Sequence, residues 1–211
     1  MTRLVGEGAQ GKVFAVSVDT TAGTREYALK WYREGFGTPG QRATLRRLVD
    51  QGTPGKSFLW PVDIVQAPDE DSFGYLMELR PPRFVPISDL MNGRIDPTIG
   101  LLADVGAALA GCFLVLHAAG MCYRDLNLGN LFFDPANGEV LVCDLDNVGV
   151  DGQGSVEVAG SPFFSAPEVV RGEQLPDTGT DRFSLAVLLF LLLMLHHPLE
   201  GGGPPGSRCS T

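Results

Sequence analysis

The chain has 211 residues, 44% of them hydrophobic and 19% charged, which is ordinary for a globular protein of one domain or two small lobes. A formal net charge of -9 repels phosphate backbones, so nucleic acid is not an expected partner. Cys112, Cys122, Cys143 and Cys209 form no C-x-x-C pair and have no histidine at ligand spacing, so they read as reduced thiols of a cytoplasmic protein. Met1–Val5 is too short for a signal peptide. The run Leu185–Leu195 falls short of the roughly 20 residues that span a bilayer, so no membrane association is expected.

The first third reads as strands. Val13–Val18 and Glu26–Tyr32 are rich in β-branched and aromatic residues, with Thr20–Gly23 as the turn between them. Thr38-Pro39 has the form of an N-cap followed by proline at the first helical position, opening a short helix to about Asp50. Gly52–Lys56 reads as loop, and Leu59–Val65 and Phe73–Leu79 as two further strands. Arg80–Pro86 holds Pro81, Pro82 and Pro86; it is expected to lack regular structure and to mark a lobe boundary.

Beyond that boundary the pattern turns helical. Asp96, with Pro97 next, is the expected N-cap of a helix whose apolar face carries Leu101, Leu102, Val105, Leu109, Cys112, Phe113 and Leu116, closed by Gly120. Leu131–Phe133 and Val140–Cys143 flank the turn signal Asp134–Gly138 and are expected to form a hairpin. A long loop follows from Asn147 to Ser165, then a hydrophobic helix starting near Asp181. The Gly/Pro/Ser-rich end of the chain reads as disordered. The expected division is a strand-rich lobe over 1–80, a helical lobe over 81–198 and a tail over 199–211, an α+β chain with a ligand cleft between its lobes.

Four segments carry chemistry. Gly6, Gly8 and Gly11 stand in a G-x-G-x-x-G-x-V run, where the missing Cβ atoms let the backbone approach phosphate oxygens. A strand follows this run instead of a helix, which disfavours a dinucleotide fold. On the next strand Ala28 and Lys30 share one face, a small residue and a cation suited to an adenine ring and its phosphates. Taken alone, Lys30 reads equally as a surface lysine at a strand end. Tyr123-Arg124-Asp125 followed by Asn130 is the strongest signal: the aspartate can accept a hydroxyl proton and the asparagine can hold a metal. Asp144 closes the short apolar strand Val140–Cys143, where a carboxylate can bridge Mg²⁺ to phosphates; Asp146 is a rival for that role.

Together these motifs resemble the signature of the eukaryotic-type (Hanks-type) Ser/Thr protein kinases, in order and spacing from Gly6 to about Pro198. The resemblance implies a bilobal kinase-like fold, with a small antiparallel β lobe and a helical large lobe. It also implies ATP and Mg²⁺ as cofactors and a protein as substrate. Carried over by position, Lys30 pairs the α- and β-phosphates, Asp125 is the base, and Asn130 and Asp144 are the metal ligands. Met77 is the gatekeeper, the backbones of Glu78 and Arg80 give the adenine-binding hinge, and Val13, Ala28 and Phe132 sandwich the base. Asp181 braces the catalytic loop, and Ser161 matches the residue typical of Ser/Thr kinases there. Leu29-Lys-Trp-Tyr, Leu79–Arg83, Cys143–Asp151 and His196-His-Pro-Leu are similar to a bacterial subfamily that accompanies a von Willebrand A-type protein and a PP2C-type phosphatase.

The sequence departs from the family in four places. Thr38–Val49 contains no acid for the family's lysine–glutamate ion pair, and Asp50 at the helix end is the nearest substitute. Asn127 replaces a loop lysine that neutralises γ-phosphate charge; it can donate a hydrogen bond but carries no charge. Leu145 and Asp146 replace the phenylalanine and glycine of D-F-G, and the extra carboxylate could help hold metal or stiffen the turn. Finally, the chain is read as C-terminally truncated, with a first strand limited to Thr2–Val5; Leu185–Leu195 is expected to expose an apolar patch and Glu168 to lack its arginine. An active protein kinase is the leading reading. The alternatives are a pseudokinase or ATP-binding scaffold, and a small-molecule phosphotransferase of the aminoglycoside-kinase type. Arg124 precedes the base, where such arginines pair with a loop phosphate, and Glu157 is expected to stand in for that phosphate.

Overall fold

The computed structural model describes residues 3–21, 23–68, 72–153, 161 and 163–199. The strand-prone first third forms β1 (Arg3–Glu7), β2 (Gly11–Thr20), β3 (Gly23–Tyr32), β4 (Pro61–Gln66) and β5 (Phe73–Glu78). These pair as one antiparallel sheet in the order β1-β2-β3-β5-β4. The pleat turns Ala28, Lys30 and Tyr32 of β3 to the buried face. Gly11 is required by this sheet more than by any ligand: a Cβ there would collide with the Trp31 carbonyl across the β2–β3 pair.

Helix α1 (Pro39–Gln51) starts where the sequence placed it. Thr38 caps it, accepting from Gln41 N, while the Gln41 side chain accepts from Thr38 N at 3.0 Å, and Pro39 holds the first helical position. Removing that reciprocal cap with Thr38→Ala should cost about 1 kcal/mol in a urea titration. Leu45 and Leu48 form the buried face of α1, and Trp60 Nε1 ties the Leu48 carbonyl at 2.8 Å.

Val85–Pro86 forms a short edge strand, β6, which corrects the expectation that Arg80–Pro86 has no regular structure. It pairs with β8 (Leu131–Phe133), which in turn pairs with β9 (Val140–Val142) in the expected hairpin. An edge position tolerates proline because one side of the strand needs no donor. In β9, Val140 and Val142 enter the helical core while Leu141 joins the core under the large sheet, so one strand serves both.

Helix α2 (Ile87–Met91) precedes α3 (Ile99–Ala118), whose cap is Thr98 and not Asp96. The Thr98 hydroxyl accepts from Leu101 N at 3.2 Å, so the helix begins two residues beyond the start that Asp96-Pro97 suggested. The stripe Leu102, Val105, Leu109, Cys112, Phe113 and Leu116 is buried, and Gly120 follows the helix with φ of 72°. By length and composition alone α3 is also long and apolar enough to cross a bilayer, which the run Leu185–Leu195 is not; here its apolar stripe packs into the core.

Within the expected loop 147–165, β10 (Gly149–Val150) pairs with β7 (Met121–Cys122). After α4 (Pro167–Val170), α5 (Thr178–Met194) begins earlier than Asp181, because Asp177 and Thr180 form a capping box. Gly106 of α3 lies against Leu189, where an added Cβ would sit 3.3 Å from that side chain, so α5 packs close to α3. Phe190, Leu193 and Met194 of α5 and its cap residue Leu195 are exposed, while Leu185, Leu188, Leu191 and Leu192 of the run expected to be exposed are buried. Except for Leu199, the tail lies outside the described residues.

Candidate active site

The sheet and the helical part border a cleft of about 720 Å³, within the range that holds small-molecule ligands. Gly6, Gly8, Gly11 and Val13 line it from the β1–β2 hairpin, and Ala28 and Lys30 from β3. Met77 and Arg80 line it at the end of β5 and just beyond, while Asp125, Asn127, Asn130, Phe132 and Asp144 come from the helical part. A Cβ on Gly6 or Gly8 would meet nothing within 4 Å. The Glu78 side chain is 70% exposed beside Arg25, as suits a residue expected to act through its backbone, and Leu79 lines the cleft next to it. The Arg80 guanidinium sits over the Phe132 ring, 4.4 Å from its centroid, and donates to the Phe84 carbonyl.

The catalytic-loop segment is held by a buried carboxylate. Asp181 in the first turn of α5 accepts from Tyr123 N at 2.6 Å and Arg124 N at 2.9 Å, with His117 Nε2 at 3.0 Å. Arg124 needs this restraint, because its φ of 73° is unfavourable for a residue with a Cβ. Its guanidinium donates to the carbonyls of Val150 and Gln153, and a Cβ on Gly149 would collide with it. Glu157, expected to face Arg124, lies outside the described residues. The Tyr123 hydroxyl donates to the Cys143 carbonyl, which joins this segment to the strand carrying Asp144.

Asp125 is fixed through one oxygen. Its Oδ1 accepts from Asn127 Nδ2 at 3.2 Å and from Ser161 N at 3.3 Å, which leaves Oδ2 as the acceptor for a substrate hydroxyl. Asn127 also caps the short turn Leu128–Asn130 by accepting from Gly129 N at 2.9 Å. Asn127 therefore braces the Asp125 carboxylate. Asn130 Nδ2 donates to the Asp125 carbonyl at 3.1 Å, which commits its nitrogen and leaves its oxygen as a donor toward a cation. With the partly exposed Asp144 carboxylate this makes a hard oxygen pair that fits Mg²⁺.

Lys30 is paired, though not with a residue of α1. Asp50 is exposed, which corrects its reading as the nearest substitute. The Lys30 ammonium instead bonds Asp144 and, at 2.9 Å, Asp146. Tyr32 donates to the same Asp146 oxygen. Burial works to lower the Lys30 pKa, but Asp146 and Asp144 outweigh it and raise it. Burial and the charge of Asp146 push Asp144 up to about 7 against the pull of Lys30. Burial also opposes ionisation of Asp146, yet Lys30 and the hydrogen bonds it accepts hold it below the usual carboxylate range. Asp144 has φ of 54°, a left-handed backbone that starts the turn Leu145–Asn147, with Leu145 fully buried beneath it. Burial pushes the Cys143 thiol up to about 12, so this cleft cysteine is protonated at neutral pH. Sequence reasoning missed Tyr32 in this site, although its place two residues after Lys30 on one strand face was a usable signal.

The protein kinase domain family model matches residues 100–205. Among curated relatives, the NUAK family SNF1-like kinase 2 of Rattus norvegicus is 34% identical over 87 residues, covering 40% of this chain and 14% of the relative. Protein kinase gsk3 of Schizosaccharomyces pombe is 35% identical over 89 residues, covering 41% of this chain and 23% of the relative. The probable serine/threonine-protein kinase CCRP1 of Zea mays is 34% identical over 88 residues, covering 40% and 14%. The chain thus matches a quarter or less of the length of these relatives.

Proposed function

Since the chain belongs to the protein kinase domain family, we propose that it transfers the γ-phosphoryl group of ATP to serine or threonine of a protein substrate. The observation that carries this reading is the convergence of Lys30, Asp125, Asn130 and Asp144 on one cleft that the glycine hairpin also lines. In this reading the substrate hydroxyl attacks the γ-phosphorus and its proton passes to Asp125 Oδ2. The bond to the β–γ bridging oxygen breaks, and ADP leaves. Lys30 binds the α- and β-phosphates, and Val13, Ala28 and Phe132 enclose the adenine. Asn130 and Asp144 are the residues that would hold Mg²⁺, which supplies charge neutralisation at the phosphates. Ser161 beside Asp125 supports hydroxyl amino acids of the Ser/Thr type as acceptors, by the resemblance of its segment.

A PP2C-type phosphatase and a von Willebrand A-type protein are proposed partners on the subfamily resemblance. A cytoplasmic location is proposed on the free thiols of Cys112, Cys122 and Cys143. The test is incubation with γ-labelled ATP, Mg²⁺ and a general acceptor protein, followed by phosphoamino acid analysis. Label is expected in phosphoserine and phosphothreonine. Lys30→Met should reduce it about 10²- to 10³-fold, the range for losing one transition-state donor. ATP binding without label would favour an ATP-binding scaffold, and equal label from both proteins would remove the enzyme reading.

A further inference from the structure

We propose that Asp146, seated by Tyr32, is the positioning residue that aligns Lys30, in place of an acid on α1. This rests on the kinase reading of Lys30. A lysine that must reach phosphates needs a counter-charge that fixes its ammonium without occupying the cleft. Helix α1 cannot supply one, because its inner face is Leu45 and Leu48 and its one acid, Asp50, is exposed. Two carboxylates touch Lys30, and their surroundings assign them different tasks. The Asp144 side chain is 34% exposed and lines the cleft, so a cation can reach it. The Asp146 side chain is 0% exposed and does not line the cleft. A metal would have to displace Lys30 or Tyr32 to reach it.

The seat of Asp146 is rigid. Its Oδ2 accepts from both Lys30 Nζ and the Tyr32 hydroxyl. Lys30 and Tyr32 leave the same face of β3, so the strand pleat aims both donors at the turn. Tyr32 is itself packed against Phe73 and Tyr75, with ring centroids 5.0 and 6.3 Å away. The other oxygen, Asp146 Oδ1, is buried and has no hydrogen-bond partner among the described residues, and the same holds for the Tyr75 hydroxyl. The anchor of Lys30 and the metal-binding carboxylate thus belong to one segment, 144–146, against which α1 packs. Lys30 is aligned whenever this segment is in place, with no ion pair to α1.

The test is a double-mutant cycle read by the affinity of a fluorescent ATP analogue with Mg²⁺ and by kcat and KM. Asp146→Asn should lower kcat/KM about a hundredfold, the scale of an ångström-level misplacement. In a Lys30→Met background the same change should cost nothing further in nucleotide affinity. Asp50→Asn should match the unaltered chain. If Asp146→Asn fails to fold, Tyr32→Phe removes only a hydroxyl, and its smaller loss should likewise vanish without Lys30. An unchanged rate, an equal loss in both backgrounds, or a shift in Mg²⁺ dependence like that of Asp144→Asn would overturn the proposal. Nucleotide binding without turnover would defeat the phosphotransfer reading alone, since the affinity cycle still decides the role of Asp146. A chain that bound no nucleotide would defeat both.

Discussion

Asp125→Asn should abolish nearly all phosphoryl transfer while leaving ATP affinity unchanged. The substitution keeps the size of the side chain and an oxygen that can accept from Asn127 and Ser161, so the loop should survive. What it removes is the proton acceptor. A positioned general base contributes about 10²- to 10⁴-fold, and the rate should fall within that range. Affinity should hold because the phosphate and adenine contacts fall to other residues: Lys30, the glycine hairpin and Phe132 line the cleft independently of the Asp125 carboxylate. Single-turnover transfer measured beside equilibrium binding separates the two effects. A rate within a fewfold of the unaltered chain would show that Asp125 is not the base. A parallel loss of rate and affinity would show that it acts on the ground state.

Local chemistry in the sequence revealed some of this site and hid the rest. Thr38-Pro39 announced α1, because a cap and the first helical residue are neighbours in the chain. The turn at Asp134–Gly138 announced the hairpin for the same reason, and φ at Gly138 is 74°. Errors arose where two local signals competed. Asp96 with Pro97 read as the start of α3, but the observed cap is Thr98, whose hydroxyl accepts from Leu101 N. Asp181 read as the start of a helix, but Asp177 and Thr180 begin it one turn earlier. Lys30–Asp146 was the hardest to read. Its partners are 116 residues apart, and the pairing depends on the left-handed turn at Asp144 and on a sheet face that only the fold brings together. The one available cue was the lack of an acid in 38–49 beside an unexpected second aspartate at 146.

Asp181→Ala should be the most destabilising single change in the helical part. The Asp181 side chain is 2% exposed and takes the backbone N–H groups of Tyr123 and Arg124 together with His117. Alanine offers none of them an acceptor. Each orphaned buried donor costs about 1–3 kcal/mol, so losing two backbone partners should cost about 2–6 kcal/mol. For a chain of this size that corresponds to a fall in melting temperature of roughly 4–24 °C. Activity should fall further than stability requires, because the bond to Arg124 N also restrains the left-handed backbone immediately before Asp125. Asp181→Asn keeps one oxygen acceptor and so should lose about half as much stability, since one backbone donor stays paired. Calorimetry on the three proteins gives the order, and transfer rates measured well below each melting temperature isolate the effect on the loop. If Asp181→Ala melted with the unaltered chain, the two backbone donors would have found other partners, and Asp181 would not be what holds Asp125 in place.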